Sequence, residues 1–356
     1  MVKKGAIEVQ FNWVFVLIIG VFILSFVFTV IRAQMQTTQA EVDATVRSRF
    51  DTVLQQASQT PGTLFSVQLR GTKFTSADSC VDSFYFNDNR NLRIQLEAAF
   101  SPKEMDSVQG TFLLWVLPWS MPFRITNFVY LTTPDIVYLL TYKPETEEFA
   151  KEINYSRTTM SLPDDMIKEV ISYDSLNSKL NALRNLNTRV VYIYDNCDNV
   201  NFPSGADSAV CINVKNSTND MGLDGFGHVR YLYPNNEHHD TYYLGRQSLF
   251  GAIFSEDHVQ FDCSMQKAYN RMNLLLDVYH FRSLNLSDSN SPGTHECRQL
   301  HNDAVTRINS MFNCFNNNNG GYSSKEKCLY HHAFRGINSL SSINQATKLR
   351  SCVYVY

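Results

Sequence analysis

Residues Phe11 to Ile31 form an unbroken run of 21 uncharged residues, and only Asn12, Ser25 and Thr29 in it are plainly polar. At about 1.5 Å per residue, a helix of that length crosses the roughly 30 Å hydrocarbon core of a bilayer. Inside lipid every backbone amide must find its partner within the segment, so a helix is the form such a run takes. The alternative is a cleaved secretory signal. Its apolar region runs to about 7–15 residues and ends in a small-x-small site. Here the run is longer, and Arg32-Ala33-Gln34-Met35 follows it. The sequence therefore predicts a retained transmembrane helix over residues 11–31.

Lys3 and Lys4 precede the run, and Arg32, Arg47 and Arg49 follow it, so positive charge does not decide the orientation. Cysteine usage is more informative. Cys80, Cys197, Cys211, Cys263, Cys297, Cys314, Cys328 and Cys352 all lie after the run. An even number on one side suits disulfides in an oxidising compartment. Glycosylation sequons at Asn154, Asn216 and Asn285 lie on the same side, although an Asn-rich chain produces sequons by chance. The expectation is a cell-membrane protein, single-pass, with residues 1–10 cytoplasmic and the bulk extracytoplasmic. Its partners would be the lipid bilayer and other copies of itself or surface proteins. With a net charge of −3 there is no basic excess to neutralise phosphates, so no nucleic acid is expected as a partner.

The opening Lys3-Lys4-Gly5-Ala6-Ile7-Glu8, set directly against the apolar run, resembles the archaeal class III, prepilin-type signal. The stretch Gly5 to Trp13 also looks like the start of single-pass proteins from small-genome archaea. The resemblance covers about the first 35 residues. It implies processing after Gly5, with Glu8 as the helix-head carboxylate at the third mature position, and a pilin-like surface or assembly component. An ordinary anchor flanked by two lysines is the other reading of the same residues.

Beyond the membrane, Val42, Val46, Phe50, Val53, Leu54 and Ala57 share one helical face, and Pro61-Gly62 closes the pattern. The spacing predicts a stalk helix over 32–60, continuous with the anchor. From Gly62 the period turns to that of strands. Leu64–Leu69, Cys80–Phe86 and the alternation of Leu92, Ile94 and Leu96 are candidates, and Gly110–Leu117 and Ile136–Tyr142 read as buried strands. Two prolines around an aromatic pair make Leu117–Phe123 a rigid loop whose aromatics plug a core. Pro144–Ile153 and Pro163–Ile171 each open like a helix with proline at its first position, and Leu176, Leu180 and Leu183 mark a third. Val190–Tyr194 returns as a strand, so a βαβ crossover is expected, with Ser208–Val214 and His228–Tyr233 adding further strands. The fold class is α/β or α+β, with a mixed sheet in an extracytoplasmic domain over 62–255. Asp262–Phe281 and Thr294–Phe312 then read as helices, with an Asn/Gly loop over 313–321, a segment over 323–334 and a short C-terminal piece. Residues 256–356 are expected as a cysteine-rich helical subdomain braced by disulfides.

The chemistry-bearing residues crowd into the C-terminal third, where all nine histidines lie at or after His228. Cys297-x3-His301 and Cys314-x13-Cys328-x2-His331 offer thiolate and imidazole, yet match no standard zinc module, and disulfides are the preferred reading. Cys197 with Cys211, at the ends of neighbouring strands, and Cys263 with Cys314, on paired helices, are the expected partners. Glu237-His238-His239-Asp240, with His258 further on, is the second cluster. Carboxylate and imidazole there suit a divalent metal or acid–base work, but after Pro234-Asn235-Asn236 the stretch reads as an exposed loop tip. Gly222–His228 reads as a turn, and no phosphate loop, nucleophile elbow or helical zinc motif is present. The sequence thus points to a structural or interaction protein without a cofactor. Its rival is an extracytoplasmic metal-dependent enzyme or ligand-binding receptor using the histidine-rich third.

Overall fold

A computed structural model describes residues 5–69, 72–76, 84–86, 89–94, 98–106, 110–156, 160–214, 225–288, 294–316 and 335–356. The chain divides into two compact units, Met1–Thr52 and Val53–Tyr356. Among the described residues, the first consists of most of one long helix, α1 (Gly5–Gln59). Its stretch Trp13–Gln34 is 22 residues long with a mean hydropathy of 3.1, and none of it is buried. By length and composition it can cross a membrane. Two of its polar side chains find partners within the helix. Thr29 Oγ1 donates to the Ser25 carbonyl at 2.8 Å, and the Arg32 guanidinium lies 4.7 Å from the centre of the Phe28 ring. Further on, the expected stripe is visible: Val46, Phe50 and Ala57 are buried, and Val53 and Leu54 are half-buried. Val42 lies outside the described side chains. The helix ends at Pro61-Gly62, where Gly62 takes a φ of +92°, a region that a side chain disfavours.

The second unit is built on a six-stranded mixed sheet. Its strands are β9 (Ile136–Tyr142), β10 (Lys168–Ser172), β11 (Asn187–Tyr194), β12 (Ser208–Asn213), β13 (Phe226–Leu232) and β14 (His238–Leu244). The order across the sheet is β10-β9-β11-β12-β13-β14. The first four are mutually parallel, and β13 runs antiparallel to both its neighbours, β12 and β14. Helix α2 (Glu147–Asn154) connects β9 to β10, and α3 (Leu176–Ala182) connects β10 to β11. Parallel strands require such crossovers, and the one through α3 passes over β9. A second sheet has the order β1-β7-β8-β5, from β1 (Leu64–Gln68), β5 (Ala99–Phe100), β7 (Thr111–Ser120) and β8 (Arg124–Thr132). A small third sheet joins β2 (Lys73–Ser76), β3 (Phe84–Phe86), β4 (Asn89–Ile94) and β6 (Glu104–Asp106).

Helix α4 (Arg246–Phe254) lies between the two larger sheets, against β5, β7 and β8 of one and β12 and β14 of the other. Its residues Ser248–Phe254 are all buried, as expected for a helix apolar on every side. Gly251 is needed there, because a Cβ would stand 2.8 Å from the Phe100 ring. Trp115, Tyr130 and Tyr138 press on Phe250 and Phe254 at ring separations of 5.2–5.7 Å. The sequence reading has no helix at this position. A 9-residue helix without a polar face carries no 3.6-residue alternation to find.

Four other expectations need correction. Leu117–Ser120 is the end of β7 rather than a loop. Pro118 sits opposite Asn127 on β8, while β1 pairs only with Thr111–Trp115. At Pro118 the strand has become an edge, where a missing N–H breaks no ladder. Trp119 and Phe123 are buried, as their core role requires, and Trp119 Nε1 donates to the Leu244 carbonyl at 3.0 Å. The stretch read as a helix from Pro163 to Ile171 ends in strand β10, because its Val170-Ile171 pair continues the parallel sheet beside β9. Glu237–Asp240 is not a loop tip, since β14 begins at His238 and only Tyr233–Glu237 turn. The C-terminal helices are not packed apart from the sheets. These are α5 (His258–Ser287), α6 (His295–Asn316) and α7 (Arg335–Leu349). Phe261, Met265 and Ala268 of α5 join one buried cluster with Phe100, Tyr130 and Tyr231, and Ile308 of α6 and Leu340 of α7 extend it.

Cys197 and Cys211 are joined as expected, with their Cα atoms 5.9 Å apart. The second described bond, Cys297–Cys352, ties the start of α6 to the segment after α7. Cys263 is also disulfide-bonded. Cys80, Cys328 and the side chain of Cys314 lie outside the described residues, as do 317–334 and the first residues of the glycine turn expected at 222–228. By Gly227 that stretch is already strand β13, and a Cβ there would meet the Tyr243 ring at 2.3 Å.

Candidate functional site

Strand alternation separates the two expected histidines. In β14, His238 and Asp240 point to one face of the sheet, and His239 and Thr241 to the other. On the α5 side, His239 stacks on His258 with ring centres 3.7 Å apart. His239 Nε2 lies 3.2 Å from Asp262 Oδ2, and Thr241 donates to Asp262 Oδ1 at 2.6 Å. The Tyr233 hydroxyl meets His258 Nδ1 at 2.5 Å. Burial pushes the Tyr233 phenol up to about 12. Burial and the neighbouring His239 push His258 below the usual histidine value, against the opposing pull of Asp262 and Asp257. A neutral His258 accepting a hydrogen bond from the neutral Tyr233 hydroxyl fits both shifts. Glu237 ends the preceding turn and His238 faces away. Among the described residues, no three His, Cys, Asp or Glu side chains converge as a metal ion would need.

The sign of the pH effect follows. The folded state binds less proton at His258 than the unfolded chain does, so its contribution to stability falls as pH drops below the ordinary histidine pKa of about 6.5. His301, also lowered by burial and by Arg282, acts in the same sense. We expect the thermal midpoint to fall between about pH 7 and about pH 5.5, and His258→Gln to flatten that slope. A midpoint unchanged over this range contradicts the assignment.

On the opposite face Asp240 is a hub. It receives Arg230 Nε at 2.6 Å and Nη2 at 3.0 Å, and His228 Nε2 lies 2.9 Å away. Burial works to raise its pKa, but hydrogen bonds from His228 and Arg230 prevail and hold the carboxyl well below the usual range. Arg230 also donates to the Cys197 carbonyl at 3.0 Å and lies 3.4 Å from Asp198. The disulfide and this arginine together hold the start of the β11–β12 connection.

That connection walls a crevice of about 680 Å3 in the second unit, at the carboxyl ends of β9, β10 and β11. From β9 the chain crosses to β10 on one side, and from β11 it goes on to β12 on the other. Segments leaving the adjacent strands β9 and β11 therefore diverge, the arrangement that opens ligand crevices in α/β sheets. Lys143 follows β9, Tyr173 and Asp174 follow β10, and Tyr194 and Asp195 close β11. Lys143 Nζ rests 4.8 Å from the Tyr194 ring centre. Tyr194 stands edge-on to Tyr173 at 6.1 Å and to Tyr192 at 5.3 Å. The sequence reading singles out none of these residues as a site. Their signal, a polar and aromatic turn after each of three parallel strands, emerges only once the sheet order is known. No family model, curated protein or solved structure matches the chain.

Proposed function

We propose that the chain is a membrane-anchored protein whose folded unit works outside the cytoplasm as a structural or interaction component, with pilin-like assembly as the sharper form of that role. The carrying observation is the apolar stretch Trp13–Gln34, none of which is buried, in a chain whose described cysteines are disulfide-bonded. Exposed side chains such as Phe22 and Phe26, at 73% and 70%, need lipid or another helix around them. The bonded cysteines favour an oxidising location for the unit that holds them. The rival that relies on the histidine-rich third has less support, because β14 turns His238 away from His239 and His258.

Non-reducing peptide mapping after membrane fractionation tests the proposal. The expected result is extraction by detergent but not by alkaline carbonate, with Cys197–Cys211 and Cys297–Cys352 recovered as linked peptides. A mature N-terminus at Ala6 supports the pilin-like form, and one at Met1 removes it. Recovery in the soluble fraction with free thiols overturns the proposal.

A further inference from the structure

We infer that the crevice at the carboxyl ends of β9, β10 and β11 binds a neutral polyhydroxylated ligand, such as the sugar rings of a glycan. This inference stands independently of the membrane placement. The opening of about 680 Å3 lies within the roughly 300–1,000 Å3 of small-molecule sites. Its chemistry narrows the ligand by elimination and then by fit.

A phosphorylated ligand is disfavoured. In α/β crevices phosphates rest on helix N-termini, where free N–H groups and the helix dipole attract anions. Here the segment after β9 carries Glu145, Glu147 and Glu148 in its first turns, and Asp174 precedes α3. Lys143 is set against Asp174 and Asp195 in the lining, which leaves no net positive charge. A cationic ligand is disfavoured for a different reason. The Tyr194 face that would receive it already holds Lys143 Nζ at 4.8 Å, and a second cation would have to displace that ammonium. A wholly apolar ligand would strand the carboxylates and amides of the lining without partners.

A sugar ring meets each feature. Its C–H face packs on an aromatic ring, and Tyr173, 51% exposed and held edge-on to Tyr194, offers one at the mouth. Its adjacent hydroxyls each donate and accept. Asp174 and Asp195 accept, Lys143 donates, and Asn177 and Asn199 do both. The wall that carries Asn199 is pinned by the Cys197–Cys211 bond and by Arg230 on the Cys197 carbonyl, so little ordering remains to oppose binding.

The test uses the full-length chain in amphipol, free of sugar-based detergent, on an array of neutral oligosaccharides. Titration of the retained sugar follows, with inorganic phosphate and tetramethylammonium as comparison probes. The expected result is retention of neutral oligosaccharides, with affinity at least tenfold weaker in Tyr173→Ala and in Asp195→Asn. Asn177→Ala, at an exposed position, provides a third variant, and an unchanged thermal midpoint shows that each variant is folded. Retention of no sugar overturns the inference. So does binding of phosphate or tetramethylammonium in place of sugar, or sugar affinity unchanged in folded Tyr173→Ala.

Discussion

Replacing Arg189 with methionine is expected to destabilise the folded unit by about 3–5 kcal/mol, read as a shift in chemical denaturation. Arg189 is 2% exposed and projects from β11 toward the end of α4. Its Nε donates to the Ile253 carbonyl at 2.5 Å and Nη2 to the Ala252 carbonyl at 3.1 Å. A further bond goes to the Ser255 carbonyl, and Nη1 reaches Ser208 Oγ at 2.9 Å. The last carbonyls of a helix have no partner within it, and α4 is buried where water cannot substitute. The guanidinium fork satisfies several of them at once and places positive charge at the negative end of the helix dipole. Methionine fills similar space but donates nothing, so the Ile253 and Ser255 carbonyls would lose this donor in a low-dielectric core, and the Ala252 carbonyl would keep only the 3.4 Å bond from the Tyr231 hydroxyl. Arg189→Lys keeps the charge but cannot span the same set, so an intermediate loss is expected. A methionine variant within about 1 kcal/mol of the parent would show that the end of α4 finds other donors.

A second large effect is expected in the apolar stretch of α1. The span Trp13–Gln34 contains fifteen Leu, Ile, Phe and Val residues. At about −0.3 to −0.6 kcal/mol each, they favour insertion by roughly 5–9 kcal/mol. One arginine near the centre costs about 2.5–3.5 kcal/mol, so Phe22→Arg alone should leave the chain in the membrane fraction. Ile19→Arg, Phe22→Arg and Phe26→Arg together cost roughly 8–10 kcal/mol, and the triple variant should leave the membrane fraction. Quantitative fractionation of the three proteins checks the threshold. If the triple variant fractionates with the parent, insertion does not hold the chain.

How much is legible in the sequence depends on whether a feature is local. The apolar stretch, the stop at Pro61-Gly62, strands β9 and β11 and the Cys197–Cys211 pair all follow from short windows or adjacent elements. Pro118 misleads because its tolerance depends on how far β1 extends, which a window around Pro118 does not contain. Val170 and Ile171 read as helical because the preceding Pro163 imitates a helix start, whereas the parallel edge of β9 decides their conformation. The His239–His258 stack is half legible: the sequence singles out both residues, but strand alternation in β14 replaces His238 with Tyr233 and Asp262 as their companions. The crevice is invisible from sequence. Lys143, Tyr173 and Tyr194 are far apart along the chain and brought together only by the order in which strands enter the sheet.

The Cys297–Cys352 link closes a covalent ring with a sequence separation of 55 residues. A protease that cuts once within that ring opens it without releasing either fragment, and the severed molecule keeps its full mass on a gel run without a thiol. Nicked and intact chains part company only after reduction. Any assessment of proteolytic damage in this region therefore rests on comparing the two lanes.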